Sequence, residues 1–142
     1  MSSNIKVVAF EPSHLDRIQP KGIYTPGECP KTVMNSAFTL LAGDEVIAIL
    51  GGFPFIPGVI HFWGLISDAA SKRPLDFHKT CLKIIKWYED YEKPRRMQID
   101  VRVDYPMGQR WAESLGFISE GRMKKWNLDG TDAYLYGRSV WR

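Results

Sequence analysis

The most constraining part of this sequence lies near its C-terminal end, between residues 110 and 122. A short helical pattern there ends at Gly116, because glycine readily adopts the left-handed conformation that closes a helix. A β-prone run follows, and a turn at residues 128–131 separates the last two strand-like runs, residues 122–127 and 132–141. This order of helix, glycine stop and strand pair indicates a fold that combines helices with a sheet.

The rest of the chain alternates strand-like and helical patterns. Apolar residues recur at helical spacing over residues 75–92, the strongest helix signal in the sequence. Residues 97–103 alternate apolar and polar side chains, as in a strand with two different faces. Ser13 is placed to cap a helix that begins at His14, and the prolines and glycines of residues 19–31 predict a loop. Further β-prone runs cover residues 5–10, 36–42, 45–51 and 59–66.

Length and composition place these elements in one α/β domain covering residues 1–142. A chain of 142 residues that is 44% hydrophobic and 25% charged is typical of a single globular domain. The sequence contains no run of about 18 apolar residues, the length that a membrane helix requires. We therefore expect a protein of the cytoplasm with no membrane contact.

Charge and cysteine content argue against two further classes of function. The net charge is +3, but the basic residues are spread along the chain, which argues against nucleic acid as a partner. Cys29 and Cys81 form no Cys-x-x-Cys or Cys/His cluster. We expect both thiols to be reduced and no metal to be bound.

The order of elements resembles the fold of the GNAT superfamily of N-acetyltransferases, and the match is most specific between residues 97 and 136. Leu115-Gly116-Phe117 is similar to the family's leucine–glycine–phenylalanine turn, and residues 129–136 are similar to its last hairpin. The resemblance implies a mixed, mostly antiparallel sheet flanked by helices. Its central strands, Val59–Ile66 and residues 97–103, would splay apart.

The resemblance also implies acetyl-CoA as the cofactor. Its pantetheine arm would enter the gap between the splayed strands and contact backbone groups near Leu65 and Ile66. In the family, a glycine-containing loop at the start of the long helix binds the cofactor diphosphate. The matching residues 67–76 contain no glycine, and the candidates left for this role are Ser71, Lys72 and Arg73.

Acid–base chemistry on a primary amine requires a proton acceptor and a proton donor. Many members of the family place a tyrosine four residues before the glycine of the terminal turn, where this chain has Ala112. Tyr105, with Asp104 as an alternative, is the candidate acid, and a structural role in the turn that ends the strand is the alternative for both. His61 on the central strand is the candidate base and Glu45 a weaker one, while a hydrogen-bonded sheet residue is the alternative for His61.

A second resemblance is to the GNAT-like internal virion (core) protein A family of short-tailed phages. The similar features are Ile66-Ser67-Asp68, a basic and glycine-poor long helix, and a Leu115-Gly116 turn without the tyrosine. This resemblance implies a protein of the host cytoplasm or virion that works by protein contact. Phe53 and Phe55, in a segment predicted to be a proline-broken loop, are its candidate contact, and a lid over the core is the alternative for that loop.

Two hypotheses follow. The first is an acetyl-CoA-dependent N-acyltransferase, or a descendant with weakened activity. The second is a catalytically degenerate protein of the same fold that binds a protein partner.

Overall fold

One sheet of seven strands organises the molecule. The computed structural model describes residues 5–18 and 37–139, in which the strand order is β1-β2-β3-β4-β5-β7-β6. The strands are β1 (Ile5–Ala9), β2 (Ala37–Ala42), β3 (Glu45–Ile56), β4 (Val59–Ile66), β5 (Arg96–Arg102), β6 (Ile118–Met123) and β7 (Ala133–Ser139). The helices are α1 (Asp68–Ser71), α2 (Pro74–Glu92) and α3 (Pro106–Ser114), and a 3₁₀-helix (Pro12–Asp16) follows β1.

Within these described ranges β4 and β5 are the one parallel pair, and all other neighbouring strands are antiparallel. The predicted α/β class with a mixed, mostly antiparallel sheet is confirmed. No helix in the described part of the chain is long and apolar enough to cross a membrane.

Helix α2 covers one face of the sheet, as its apolar stripe predicts. It begins at Pro74, where the missing N–H costs no helical hydrogen bond, and Lys93 ends it with a left-handed φ of 50°. The main core cluster joins its buried side chains to even-numbered side chains of β4 and odd-numbered ones of β5. The rings of Phe62 and Tyr88, for example, meet edge-on at 4.9 Å. The predicted helix over residues 75–92 is confirmed to within one residue.

The opposite face of the sheet carries a second cluster. It joins β4 to β2, to β3 and to the segment after β1 through buried side chains: Ile18, Ala37, Val46, Ile49, Trp63 and Leu65. Because successive side chains of a strand alternate between faces, His61 also lies on this face, away from α2. The same alternation places Gln98 and Asp100 of β5 beside it.

The segment of residues 53–57 is not the loop that its prolines predict. Strand β3 continues through Pro54 to Ile56, and the turn to β4 comprises only Pro57 and Gly58. Within the described residues, β2 pairs with β3 only as far as Gly51, and the β3–β4 register shifts between Pro54 and Ile56. Proline is tolerated here because it lies at a bulge, beyond the last residue paired with β2.

Three boundaries also differ from the predictions. The turn after β1 is a 3₁₀-helix that starts at Pro12 and is capped by Glu11, whose backbone N–H donates to Nδ1 of His14 at 3.1 Å; Ser13 is not its cap. Strand β6 begins at Ile118, earlier than predicted. Its start could not be read from the sequence because nearly all of its side chains are exposed, so they show no alternation of apolar and polar residues. Strand β5 starts one residue early. The predicted loop of residues 19–31, Cys29 and the last residues of the chain lie outside the described ranges.

Candidate functional site

The parallel pair of β4 and β5 opens at one end. Its register runs from Val59 opposite Arg96 to Phe62 opposite Ile99. Beyond that point β4 continues to Ile66 and β5 to Arg102 without pairing with each other. The two central strands therefore splay, as predicted, and leave a gap in the middle of the sheet.

Backbone groups of β4 line this gap. The backbone N–H and Oγ–H of Ser67 both donate to the carbonyl oxygen of Ile47, at 3.0 and 2.8 Å, so the backbone of Ser67 faces β3. Hydrogen-bonding directions alternate along a strand, which turns Leu65 towards β3 and turns Gly64 and Ile66 towards the gap. Of the two predicted backbone contacts, Leu65 and Ile66, Ile66 is the one whose backbone faces the gap. Gly64 was missed, because the direction of its backbone depends on the register.

A cleft of about 320 Å³ lies at the open end of the splayed pair. Its walls come from the end of β4, the start of α2 and one side of α3. The side chains that line it include Ile66, Ser71, Phe77, His78, Tyr105 and Arg110. Of the predicted site residues, Ile66, Ser71 and Tyr105 lie in this wall, whereas Leu65, Lys72, Arg73 and His61 lie outside it.

The α2 end of the cleft offers few groups for a diphosphate. Pro74 has no N–H at the first helical position, and Asp76 adds a carboxylate to the first turn. The hydroxyl of Ser71 is engaged, since it donates to the carbonyl oxygen of Asp68 at 2.6 Å. Arg110 and His78 are the basic side chains in the described cleft wall.

Tyr105 is held by close packing at the start of α3. A Cβ atom added to Gly108 would lie 2.4 Å from Cδ2 of the Tyr105 ring and 3.0 Å from Cγ1 of Val101, so glycine is required for this approach. Burial, and then the negative charge of Asp68, raise the pKa of Tyr105. The phenol thus stays protonated near neutral pH and keeps a hydrogen to donate.

Trp111 is a partly buried residue of the cleft wall, and Cys81 is buried in the core beside it. Nε1 of Trp111 is buried without a hydrogen-bond partner of normal geometry. Burial raises the pKa of the Cys81 thiol to about 12, and the neighbouring indole N–H of Trp111 acts in the opposite direction. Cys81 is therefore a thiol at neutral pH, which argues against a nucleophilic role. Ala112, in the position of the family's tyrosine, is fully buried.

His61 lies on the other face of the sheet in a chain of polar contacts. Its Nε2 is 2.7 Å from Oδ1 of Asp100, and its Nδ1 is 3.0 Å from Nε2 of Gln98. His61 and Asp100 are both 7% exposed. The Phe53 ring lies 5.4 Å from the imidazole and the Phe55 ring 6.0 Å, measured between ring centres. The sequence did not single out Gln98 and Asp100, although both follow from the alternation of residues 97–103 once β4 is placed beside them.

The gap therefore lies between two polar sites. On the α2 and α3 side it opens onto the cleft with the Tyr105 phenol, and on the other side it borders the His61–Asp100 pair. The described residues include no group of three or more His, Cys, Asp or Glu side chains that could hold a metal ion.

Comparison with known proteins agrees with this architecture. No protein-family model matches the chain, and no curated protein matches it. Solved structures do match, among them a GNAT-family acetyltransferase from Bacillus anthracis, with a TM-score of 0.73 and 14% identity over 98% of this chain and 96% of that one. RimL, a ribosomal alpha-N-protein acetyltransferase in complex with coenzyme A, has a TM-score of 0.75 and 16% identity over 98% and 96%. A ribosomal-protein-S5-alanine acetyltransferase from Vibrio fischeri has a TM-score of 0.70 and 15% identity over 98% and 94%.

These identities are low, so the likeness concerns the fold: the chain has the fold of the GNAT acetyltransferases, as predicted. The three structures are not phage proteins, and the resemblance to the internal virion family gains no support from them.

Proposed function

We propose that this chain is an acyl-CoA-dependent N-acyltransferase that moves an acetyl group from acetyl-CoA to a primary amine. The observation that carries the proposal is the opening of the β4–β5 pair onto the cleft of about 320 Å³. An extended arm with amide groups can lie along a strand whose backbone has lost its partner, and Gly64 and Ile66 offer such groups. The likeness to RimL, solved with coenzyme A, supports this choice of cofactor.

The residues fit the two ends of acetyl-CoA unequally. The gap and the cleft fit the acyl-pantetheine arm, since they combine unpaired strand backbone with apolar walls such as Phe77. The diphosphate end has no glycine loop, and Asp76 opposes an anion there. Lys72 and Arg73 are the predicted compensation, from outside the cleft wall. We therefore expect weaker cofactor binding than a glycine loop would provide.

The chain supplies groups for both proton transfers of an acetyl transfer. Acetyl-CoA would supply a thioester carbonyl that an amine attacks, with release of a thiol. Tyr105, protonated and in the cleft wall, serves as the acid for the leaving sulfur. The His61–Asp100 pair serves as the acceptor of the amine proton.

Calorimetric titration with acetyl-CoA tests the proposal directly. Ser114 is exposed in the cleft wall, so we expect Ser114→Trp to narrow the cleft and weaken binding. Ser119→Trp, on exposed strand β6, is the matched control and should bind as the wild type does. Release of free thiol with a panel of peptides, polyamines and lysine then identifies the acceptor. Absence of heat at millimolar acetyl-CoA would contradict the proposal.

One observation favours a second candidate function, contact with a protein partner. Phe55 and Ile56 are 54% and 50% exposed at the end of β3, next to Phe53. The segment predicted to contact a partner is therefore a strand and not a loop, but it does present an apolar surface. Self-association would be the simplest form of this function. Light scattering should show it lost in Phe55→Asp and kept in Val7→Asp, a control at an exposed valine of β1. If the wild-type protein is a monomer, self-association is excluded as the function of this surface. The cytoplasm stays the predicted location for either function.

A further inference from the structure

We propose that Asp100, rather than His61, accepts the proton of the acceptor amine, and that Arg96 and Gln98 set this assignment by holding His61 as the Nε2–H tautomer. The inference rests on the proposed function, because it concerns the proton acceptor of the same reaction. It starts from the direction of three hydrogen bonds, which link Arg96 to Gln98, Gln98 to His61 and His61 to Asp100.

The side-chain amide of Gln98 has one orientation. Nε of Arg96 donates to Oε1 of Gln98 at 3.0 Å, and a guanidinium can only donate. The amide oxygen is thereby engaged, and the NH₂ group of Gln98 faces His61. Glu120 fixes the other side of Arg96 through two contacts of 2.9 and 2.5 Å, so the guanidinium is held in place.

The orientation of Gln98 decides the tautomer of His61. The Gln98 NH₂ donates to Nδ1 of His61 at 3.0 Å, so Nδ1 accepts and carries no proton. Nε2 then carries the proton and donates it to Oδ1 of Asp100 at 2.7 Å. Both ring nitrogens of neutral His61 are occupied. The imidazole has no free lone pair for an incoming proton unless Gln98 moves, and a reversed Gln98 amide would place its NH₂ against the Arg96 donor.

The chemistry of Asp100 suits it to accept the proton. An ionised carboxylate only accepts hydrogen bonds and has about four acceptor positions on two oxygens, whereas a neutral imidazole has a single ring nitrogen that accepts. Asp100 is also the first residue of β5 beyond the last pair with β4, at the point where the gap begins. A primary ammonium that reaches the gap on this face would contact a carboxylate.

The proton balance of the step follows from this placement. The ammonium R–NH₃⁺ gives one proton to the Asp100 carboxylate and becomes a neutral amine with a free lone pair. The amine nitrogen forms the new C–N bond to the acyl carbon as the C–S bond breaks. A second proton passes from that nitrogen to solvent, and Asp100 returns its own proton to solvent after the products leave. The released sulfur gains one proton from Tyr105, which is replenished from solvent. His61 keeps its Nε2–H bond to Asp100 throughout and acts as a positioning residue.

Nitrogen-15 NMR of the histidine rings tests the tautomer without cofactor or substrate. His61→Gln identifies the His61 signals among those of the three histidines. We expect a protonated Nε2 and an unprotonated Nδ1 in the wild type. Gln98→Glu places an acceptor beside Nδ1, and both ring nitrogens should then carry protons. A wild-type ring protonated at Nδ1 and bare at Nε2 would overturn the inference.

Kinetics test the assignment of the base. Asp100→Asn keeps the side-chain shape and an oxygen acceptor for His61, and we expect its kcat to fall by about 10²- to 10⁴-fold with the KM for acetyl-CoA unchanged. His61→Gln should lose less, because the carboxylate remains. The inference is overturned, and the proposed function is kept, if kcat falls more in His61→Gln than in Asp100→Asn. The same holds if Asp100→Asn has the kcat of the wild type. A wild type that neither binds acetyl-CoA nor acetylates any amine overturns the proposed function as well. Thermal unfolding followed by circular dichroism checks that each variant is folded. If Asp100→Asn is unfolded, the wild-type NMR spectrum still decides the tautomer of His61.

Discussion

Gly108→Ala should displace the proposed acid without touching its chemistry. The added Cβ would lie 2.4 Å from Cδ2 and 2.6 Å from Cε2 of Tyr105, where ordinary contact begins at 3.4 Å. The ring must therefore move by about 1 Å. It can do so because Tyr105 is only partly buried, whereas Val101 on the other side is fixed in the core.

The expected effects on stability and catalysis have different sizes. Alanine gains about 1 kcal/mol over glycine in helix propensity, which opposes an overpacking cost of about 1–3 kcal/mol, so the free energy of unfolding changes by less than about 2 kcal/mol. A catalytic group misplaced by about 1 Å can cost about 10²-fold in rate. We therefore expect a folded variant with strongly reduced kcat and nearly unchanged affinity for acetyl-CoA.

A double-mutant cycle with Tyr105→Phe is the decisive assay. If Gly108→Ala acts through the phenol, it should have no further effect on kcat once the hydroxyl has been removed. Wild-type kcat in Gly108→Ala would refute the assignment of Tyr105. So would an equal loss of kcat in the two backgrounds, because the effect would then come from another part of α3.

Three stability predictions follow from the core. Tyr88→Phe removes the hydroxyl that accepts the buried Gly52 N–H at 3.0 Å and should cost about 1–3 kcal/mol in urea unfolding; an unchanged midpoint would contradict this. Burial raises the pKa values of Cys81 and Tyr88 to about 12, above the ordinary 9.0 and 10.0. The native state then holds protons that the unfolded chain releases. The contribution of these two groups to the free energy of unfolding should therefore be constant below about pH 8 and fall between about pH 9 and 12, less steeply in Cys81→Ala. Phe62→Ala should lower the free energy of unfolding by about 3–5 kcal/mol because Phe62 is buried. Phe55→Asp, at an exposed site, should change it by about 0.5 kcal/mol or less. Similar losses in both variants would argue against the packing described.

The elements with a clear apolar pattern were predicted from the sequence nearly residue for residue. The apolar stripe of α2 and the apolar run of β4 indicate which residues are buried, because helical or strand geometry fixes the direction of each side chain. The predicted hairpin at Gly43 is confirmed for the same reason: a left-handed glycine, with φ of 62°, makes a tight turn a local property. Edge strand β6 and the bulged end of β3 were predicted poorly, because exposed strands and tolerated prolines depend on the neighbours that a strand has or lacks.

The candidate site divides in the same way. Tyr105 and Ile66 were named from the sequence through the family resemblance, because each matches a family position at the end of a strand that the sequence itself marks. Gly64, Gln98 and Asp100 could not, because their roles depend on which strand lies beside them.

By itself, then, the sequence determined the order of helices and strands and the α/β class, which follow from local periodicity and turn chemistry. The resemblance of its C-terminal motifs to those of the GNAT superfamily pointed further, to one acetyltransferase fold. The tertiary structure decided the register of β4 against β5, which are far apart in the chain and meet only in the folded sheet. That register brings His61 opposite Gln98, 37 residues later. It also ends the pairing at Phe62 and Ile99, and so places the gap, the cleft and the His61–Asp100 pair around one point. Hydrogen bonds between distant strands carry no signal in either strand alone, and for this reason the site could be assembled only from the fold.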